Sequence, residues 1–179
     1  MRVFFLITLI VLTAVTAVAQ QVSSQSRAQE IAAAFTKYKS LTKEKYGFTK
    51  TKYKDVRSEP MLKQNAGDYA GVYEVSDLGD TLAIQVDNDG RIQANGSETV
   101  GGQSRTFRIA DAKIAGALIT GNKVYDNGTT EKFEGAFLKK TERNSPTESG
   151  TTTFGLGVLL GSPREYGGNT YDKLFYQRK

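Results

Sequence analysis

The stretch TTFGLGVLL, residues 152–160, carries an apolar side chain at every second position. This period of two predicts a β-strand with one buried face. The opposite face carries Gly155 and Gly157, which either leave room for a close neighbour or allow a bend in the sheet. If a neighbour lies there, we expect it to be a helix from the N-terminal part of the chain. The apolar side chains of the buried face are Phe154, Leu156, Val158 and Leu160.

Alternating segments of the same kind continue from residue 67 to the end of the chain, separated by Gly, Asp and Asn. The turns at 87–90 and 126–128 predict two hairpins, because Asp-Gly and Asn-Gly pairs supply the positive φ of tight turns. About eight strands at this spacing are typical of an antiparallel sandwich or barrel. The predicted strands are 69–75, the hairpin 81–95, 107–110, 113–120, 124–125, 133–140, 152–160 and 171–177.

An amphipathic helix is predicted before these strands, over residues 23–46. Ile31, Phe35, Tyr38 and Leu41 recur at helical spacing and form one apolar stripe among Ala and Lys. Gly47 is a natural end for this helix. The polar and basic residues 48–60 follow neither period, and we interpret them as a linker or a first irregular strand.

The first twenty residues have the pattern of a secretory signal peptide. Arg2 precedes an apolar run over residues 3–12, and small residues end in Ala17-Val18-Ala19. The apolar run is shorter than the roughly 20 residues of a transmembrane helix. We therefore expect cleavage after Ala19, a secreted or periplasmic location, and a mature chain that is not an integral membrane protein.

The composition narrows the chemistry that the chain can perform. It contains no Cys and no His, so disulfides, thiolate metal sites and histidine acid–base catalysis are excluded. We recognise no catalytic motif, and we expect no enzyme activity, no cofactor and no metal. The formal net charge of +5 favours acidic partners weakly, and nucleic acid is not an expected partner of an exported protein.

One type of catalytic site, a pair of carboxyl groups, remains compatible with this composition. Glycoside hydrolysis needs only two carboxyl groups, about 5–10 Å apart, so a carboxylate-only hydrolase is kept as a further alternative. The carboxylates considered for it are Glu74, Asp77, Asp80, Glu131 and Glu134.

Two short stretches suggest a family. Gly71-Val72-Tyr73 opens the predicted strands, and Phe175-Tyr176-Gln177-Arg178 ends them. With the preceding helix, this layout resembles the lipocalin-like or calycin barrels, in which a Gly-x-Trp on the first strand packs near an Arg from the last. The chain has no Trp, so Tyr73 or Tyr69 would take that place. The resemblance implies an up-and-down barrel with a ligand cavity.

We therefore expect a mainly β protein: an antiparallel up-and-down barrel of about eight strands over 67–179. A signal peptide over 1–19 and an N-terminal helix with a basic linker over 20–66 precede it, and the helix packs against the barrel wall or caps one end. The expected function is binding of a small apolar or amphipathic ligand, if the interior leaves a pocket. Its predicted lining is Tyr73, Leu82, Ile84, Phe107, Phe133, Phe137, Phe154 and Leu156.

An alternative function uses the basic and aromatic residues between 37 and 57. Their mixture of charge and stacking surface is suited to an anionic lipid or polysaccharide of a cell envelope. The competing interpretation is a solvated lysine-rich face with its aromatic rings turned inward. The predicted anion-binding residues are Lys37, Lys45, Lys50, Lys52, Lys54 and Arg57.

Overall fold

The structure is a computed structural model that describes residues 21–39 and 54–179. It contains one α-helix, α1, over residues 21–34, and a short 3-10 helix at Ala66–Tyr69. The strands are β1 (Lys37–Lys39), β2 (Lys54–Pro60), β3 (Gly71–Val75), β4 (Asp80–Val86), β5 (Ile92–Val100), β6 (Gln103–Ala115), β7 (Leu118–Tyr125), β8 (Thr130–Arg143), β9 (Thr151–Tyr166) and β10 (Asn169–Arg178). The predicted signal peptide lies outside the described residues.

Strands β3 to β10 form a closed barrel in which each strand pairs antiparallel with the next along the chain. The barrel closes where Gln177 and Arg178 of β10 pair with Glu74 and Tyr73 of β3. The prediction of an up-and-down barrel of eight strands with an N-terminal helix is thus confirmed. Within the described residues, no helix combines the length and apolar character needed to cross a bilayer.

Two strands lie outside the barrel. β2 pairs with the second half of β8, from Pro60 opposite Leu138 to Asp55 opposite Arg143. β7 pairs with β8 only up to Ala136, so β2 takes the place of β7 along the rest of β8. β1 in turn pairs with β2. The stretch interpreted as a linker or an irregular strand therefore contains a regular strand over 54–60.

The helix ends twelve residues before the predicted boundary at residue 46, so this part of the prediction is wrong. Thr36 donates a hydrogen bond to the carbonyl of Ala32 and accepts one from the backbone of Ser58, which ties the end of the helix to β2. The next residues pair with β2 as β1, so strand pairing overrides the helical spacing that included Tyr38. Leu41 and Gly47 lie outside the described residues.

The predicted strand 113–120 is also wrong. β6 ends at Ala115, and Gly116 adopts a φ of +61°, a left-handed conformation that breaks a strand. β7 starts at Leu118 and returns along β6. Because apolar residues flank Gly116 on both sides, the hydrophobic pattern gives no indication of this turn.

The interior of the barrel is filled by aromatic and aliphatic side chains. The ring of Phe137 stacks on Tyr69 with 4.2 Å between centroids, and Tyr73 tilts against it at 5.9 Å. The Tyr73 hydroxyl donates to the Tyr69 carbonyl at 2.6 Å, and the Tyr69 hydroxyl donates to the Met61 carbonyl at 2.8 Å. Segment 61–69 thereby joins the core at the end of the barrel where β3 begins.

Helix α1 packs on the outer wall of the barrel rather than across an end. Ala28, Ile31 and Ala32 are buried against Ala117, Leu118, Ala136 and Leu138. Just after the helix, Phe35 lies so close to Gly157 that a β-carbon there would be 2.7 Å from its ring. The close neighbour of Gly157 is therefore the ring of Phe35, just after the helix predicted to lie there. Gly155 is instead covered by Phe175 of β10.

Candidate functional site

A set of ionisable side chains lies at the end of the barrel where β4, β6 and β8 begin and β5, β7 and β9 end. The strands alternate, so most of these residues share the inward face with the apolar core a few residues further along. Lys132 is the exception, because it alternates with the buried Phe133 and extends to the rim from the outward face of β8. Their side chains form the floor and the rim of one cleft of about 640 Å³. We call it the mouth cleft; the residues that line it are Glu98, Val100, Arg105, Lys123, Tyr125, Glu131, Lys132, Leu160, Gly161, Ser162, Pro163 and Arg164.

Asp80 and Arg164 form a buried ion pair below this cleft. Asp80 has no solvent exposure, and one of its oxygens lies 2.7 Å from an Arg164 Nη. Its other oxygen accepts a hydrogen bond from the Thr99 amide at 3.0 Å, while Arg164 also donates to the Thr99 carbonyl at 2.5 Å. The pair thus joins β4, β5 and β9 across one end of the barrel.

A second pair lies beside the first. The Lys123 ammonium is 2.5 Å from Glu98 and 4.2 Å from the centroid of the Phe107 ring, so it has an anionic and an aromatic partner. Arg164 lies 3.5 Å from the same Glu98 carboxylate. The two buried acids and two buried bases therefore form one connected, charge-balanced network.

Tyr125 connects this network to the rim. Its hydroxyl lies 2.8 Å from Glu98 and 3.2 Å from Glu131. A phenol has one proton, so it donates to one of these carboxylates at a time. Burial, together with the hydrogen bond to Glu98, raises the pKa of Tyr125 well above its usual value.

The protonation state of Glu98 follows from its partners. Burial acts to raise its pKa, but the hydrogen bonds from Lys123 and Tyr125 and the charge of Arg164 outweigh burial, and the pKa of Glu98 is lowered. Glu98 is therefore ionised at neutral pH. An acid catalyst needs the opposite shift, so Glu98 is not suited to donate a proton to a leaving group.

A large bulge in β9 brings Arg164 to this position. Leu159 pairs with Lys173 of β10 and Arg164 pairs with Tyr171, so residues 160–163 of β9 oppose the single residue Asp172. The extra residues form one side of the mouth cleft, and after them β9 continues with Arg164 directed towards Asp80. Bulges re-aim side chains in this way at the rims of barrels.

The rim carries positive charge that the network does not balance. Arg105 and Lys132 are exposed and line the cleft, and no carboxylate among the described residues lies within 4.0 Å of either side chain's charged nitrogens. Val100, Leu160 and Pro163 add apolar surface. The cleft therefore combines two cations, the exposed carboxylate of Glu131 and an apolar wall, with one positive charge in excess at the rim.

The predicted ligand-lining residues are mostly buried core. Seven of the eight are at most 6 % exposed, whereas Phe154 is 45 % exposed, and its assignment to the interior is wrong. The last residue of β9 that pairs with β10 is Gly155, opposite Gln177, so Phe154 lies just beyond the paired part of β10. The buried seven are Tyr73, Leu82, Ile84, Phe107, Phe133, Phe137 and Leu156.

The predicted anion-binding residues are only partly within the described chain. Lys54 contacts Glu142 at 3.3 Å, Arg57 contacts Asp55 at 3.2 Å, and Lys37 is exposed on β1. Lys45, Lys50 and Lys52 lie outside the described residues.

The carboxylates considered for hydrolysis are dispersed. Glu74 pairs with Lys179 at 2.9 Å, Glu134 pairs with Arg27 at 2.7 Å on the outer wall, and Asp77 lies in an exposed turn. Asp80 is held by Arg164, and Glu131 alone of the five lines the mouth cleft.

The residues that carried the family resemblance lie together. Arg178 is paired with Tyr73 across the closing strands, and a β-carbon at Gly71 would lie 3.1 Å from its Nε. Arg178 donates to the carbonyls of Asp68 and Ala70, next to the buried Tyr73, whose pKa burial raises to about 12. The resemblance to calycin barrels itself stays a prediction.

Comparisons with known proteins add no relative to this description. No protein-family model, no curated protein and no solved structure matches the chain.

Proposed function

We propose that this chain is an exported binding protein that holds a small amphipathic anion in the mouth cleft of its barrel. The observation that carries the proposal is the excess of positive charge at the rim, where Arg105 and Lys132 have no carboxylate partner among the described residues and only Glu131 opposes them, above a floor whose charges already balance. An anionic ligand would neutralise the rim without disturbing the buried network.

The size and the lining of the cleft support an amphipathic ligand. About 640 Å³ lies within the range of roughly 300–1,000 Å³ that small-molecule sites occupy. Val100, Leu160 and Pro163 offer apolar contact beside the cations, so an acyl or aryl group attached to a carboxylate or phosphate matches both features. A purely inorganic anion would leave the apolar wall unused.

The packed interior argues for the mouth rather than the barrel centre as the binding place. Six of the seven buried residues of the predicted lining line none of four clefts of about 400 to 640 Å³ in the described part of the molecule. The rings of Tyr69 and Phe137 stack in the core at the end of the barrel where β3 begins, and Leu82, Ile84 and Leu156 are at most 1 % exposed. The six residues are Tyr73, Leu82, Ile84, Phe133, Phe137 and Leu156.

Replacing both rim cations tests the proposal. We expect the double variant Arg105→Gln/Lys132→Gln to bind decanoate about tenfold or more weakly than the parent, because two charge-assisted contacts are lost. Isothermal titration calorimetry measures the affinity. The control Lys63→Gln/Lys113→Gln removes two exposed lysines elsewhere and should bind like the parent. Equal affinity for decanol and decanoate, or an unchanged affinity in the rim variant, would contradict the proposal.

Export is the other part of the proposal, and it rests on the sequence pattern of residues 1–19. We expect the protein recovered outside the cytoplasm to begin at Gln20. Intact-mass measurement of that protein checks the cleavage site. A full-length chain retained in the cytoplasm would refute export while leaving the binding proposal open to its own test.

A further inference from the structure

A second cleft lies on the outer wall of the barrel, at the end of α1. Its volume is about 410 Å³, and we call it the wall cleft. It is bounded by the end of α1, β1, β2, β8 and β10, so the fold adds residues from the barrel to the predicted basic segment. The lining residues are Ala34, Phe35, Thr36, Lys37, Lys54, Val56, Lys140 and Lys173.

Positive charge dominates this cleft. Among the described residues, four lysines line it and no acidic residue does. Glu142 lies nearby and is shared between Lys140 at 2.9 Å and Lys54 at 3.3 Å, so one carboxylate meets two ammonium groups. The hydrogen bond from Lys140 lowers the pKa of Glu142. Lys173 lies 3.9 Å from Asp172, so the four lysines outnumber the two carboxylates beside them.

The floor of the wall cleft is apolar. Phe35 packs against Phe175 with 6.0 Å between ring centroids, and the Lys140 ammonium lies 4.3 Å from the Phe175 centroid. Val56 is buried beside them. Lysines with their stems along an apolar surface and their ammonium groups at its edge are typical of contacts with a membrane interface.

We propose that the wall cleft binds the phosphate headgroup of an anionic phospholipid at a bilayer surface. Lys37, Lys54, Lys140 and Lys173 would surround the phosphate, and the apolar floor would contact the glycerol and the first carbons of an acyl chain. This surface is separate from the mouth cleft, and the inference does not depend on the proposed function. A soluble polyanion would use the lysines but not the floor, so the amphipathic lining favours the lipid.

Vesicle cosedimentation tests this inference. The parent is expected to bind vesicles that mix phosphatidylglycerol with phosphatidylcholine, and not vesicles of phosphatidylcholine alone. We expect Lys140→Gln/Lys173→Gln to weaken that binding by roughly 10- to 30-fold, because each lysine near an anionic surface contributes on the order of 1 kcal/mol. Binding should also fall as salt is raised.

Two variants serve as controls. Arg105→Gln/Lys132→Gln loses the same two charges from the mouth cleft and should keep vesicle binding within about threefold of the parent, given the limited reach of a charge in salt. Lys140→Arg/Lys173→Arg keeps both charges and should bind like the parent, which separates the loss of charge from damage to the fold. Thermal unfolding monitors the stability of every variant.

Several results would overturn the inference. Equal losses in the wall and mouth variants would mean that overall charge attracts the protein to the vesicle. Binding to dextran sulfate without binding to vesicles would identify a soluble polyanion as the partner instead. Release from the vesicles by inorganic phosphate at matched ionic strength would mean that free phosphate, and not a lipid, satisfies the site.

Discussion

Asp80→Ala is expected to lower the free energy of unfolding by about 3–5 kcal/mol, because it leaves the Arg164 guanidinium buried without its main partner. Asp80 is fully buried, and the Arg164 side chain is 14 % exposed. The change also removes the acceptor of the Thr99 amide, which adds the cost of an unsatisfied donor. Urea unfolding at neutral pH measures the loss.

A double variant separates the buried charge from simple loss of packing. Asp80→Leu/Arg164→Met replaces the pair with apolar side chains, and we expect it to regain most of the stability that Asp80→Ala loses. If Asp80→Ala does not fold, this variant still gives a measurable transition. A loss below about 1 kcal/mol in Asp80→Ala would mean that the pair lies in water, as exposed pairs contribute no more than this.

Phe137→Ala is expected to destabilise the barrel by about 3–5 kcal/mol, as for other large-to-small changes of fully buried aromatic residues. Phe137 has no solvent exposure and contacts the rings of both Tyr69 and Tyr73. Its removal would open a cavity between the barrel core and segment 61–69. Chemical unfolding followed by circular dichroism determines the change.

The matched control is Phe154→Ala, because it is the same substitution at a position outside the core. Phe154 is 45 % exposed and lies just beyond the residues of β9 that pair with β10, so the expected loss is below about 1 kcal/mol. Similar losses in the free energy of unfolding for Phe137→Ala and Phe154→Ala would mean that Phe137 does not lie in a packed interior.

The sequence was sufficient to predict the barrel, because the period of two survives in most strands and the turns carry their own signals. Asp87–Gly90 and Asp126–Gly128 each connect two strands, as expected. The helix end was not predictable in the same way, since Lys37–Lys39 becomes a strand only through pairing with residues 54–56. Such nonlocal pairing has no signature in the local spacing.

The candidate site was largely missed from the sequence. The inward position of Glu98 is predictable, because side chains of a strand alternate between its two faces and Glu98 lies four residues after the buried Ala94 of β5. Arg164 could not, since its position depends on residues 160–163 opposing one residue of β10. Two carboxylates of the hydrolase alternative, Asp80 and Glu131, belong to this end of the barrel. The sequence pattern does not indicate the ion network that Asp80 forms there.

The most direct test of binding at the mouth cleft is to map decanoate on the protein by backbone amide chemical shifts. We predict that the largest changes occur at Val100, Arg105, Lys132 and residues 160–162, around the mouth cleft. Largest changes at Leu82, Ile84 and Leu156 would place the ligand inside the barrel and contradict a filled interior.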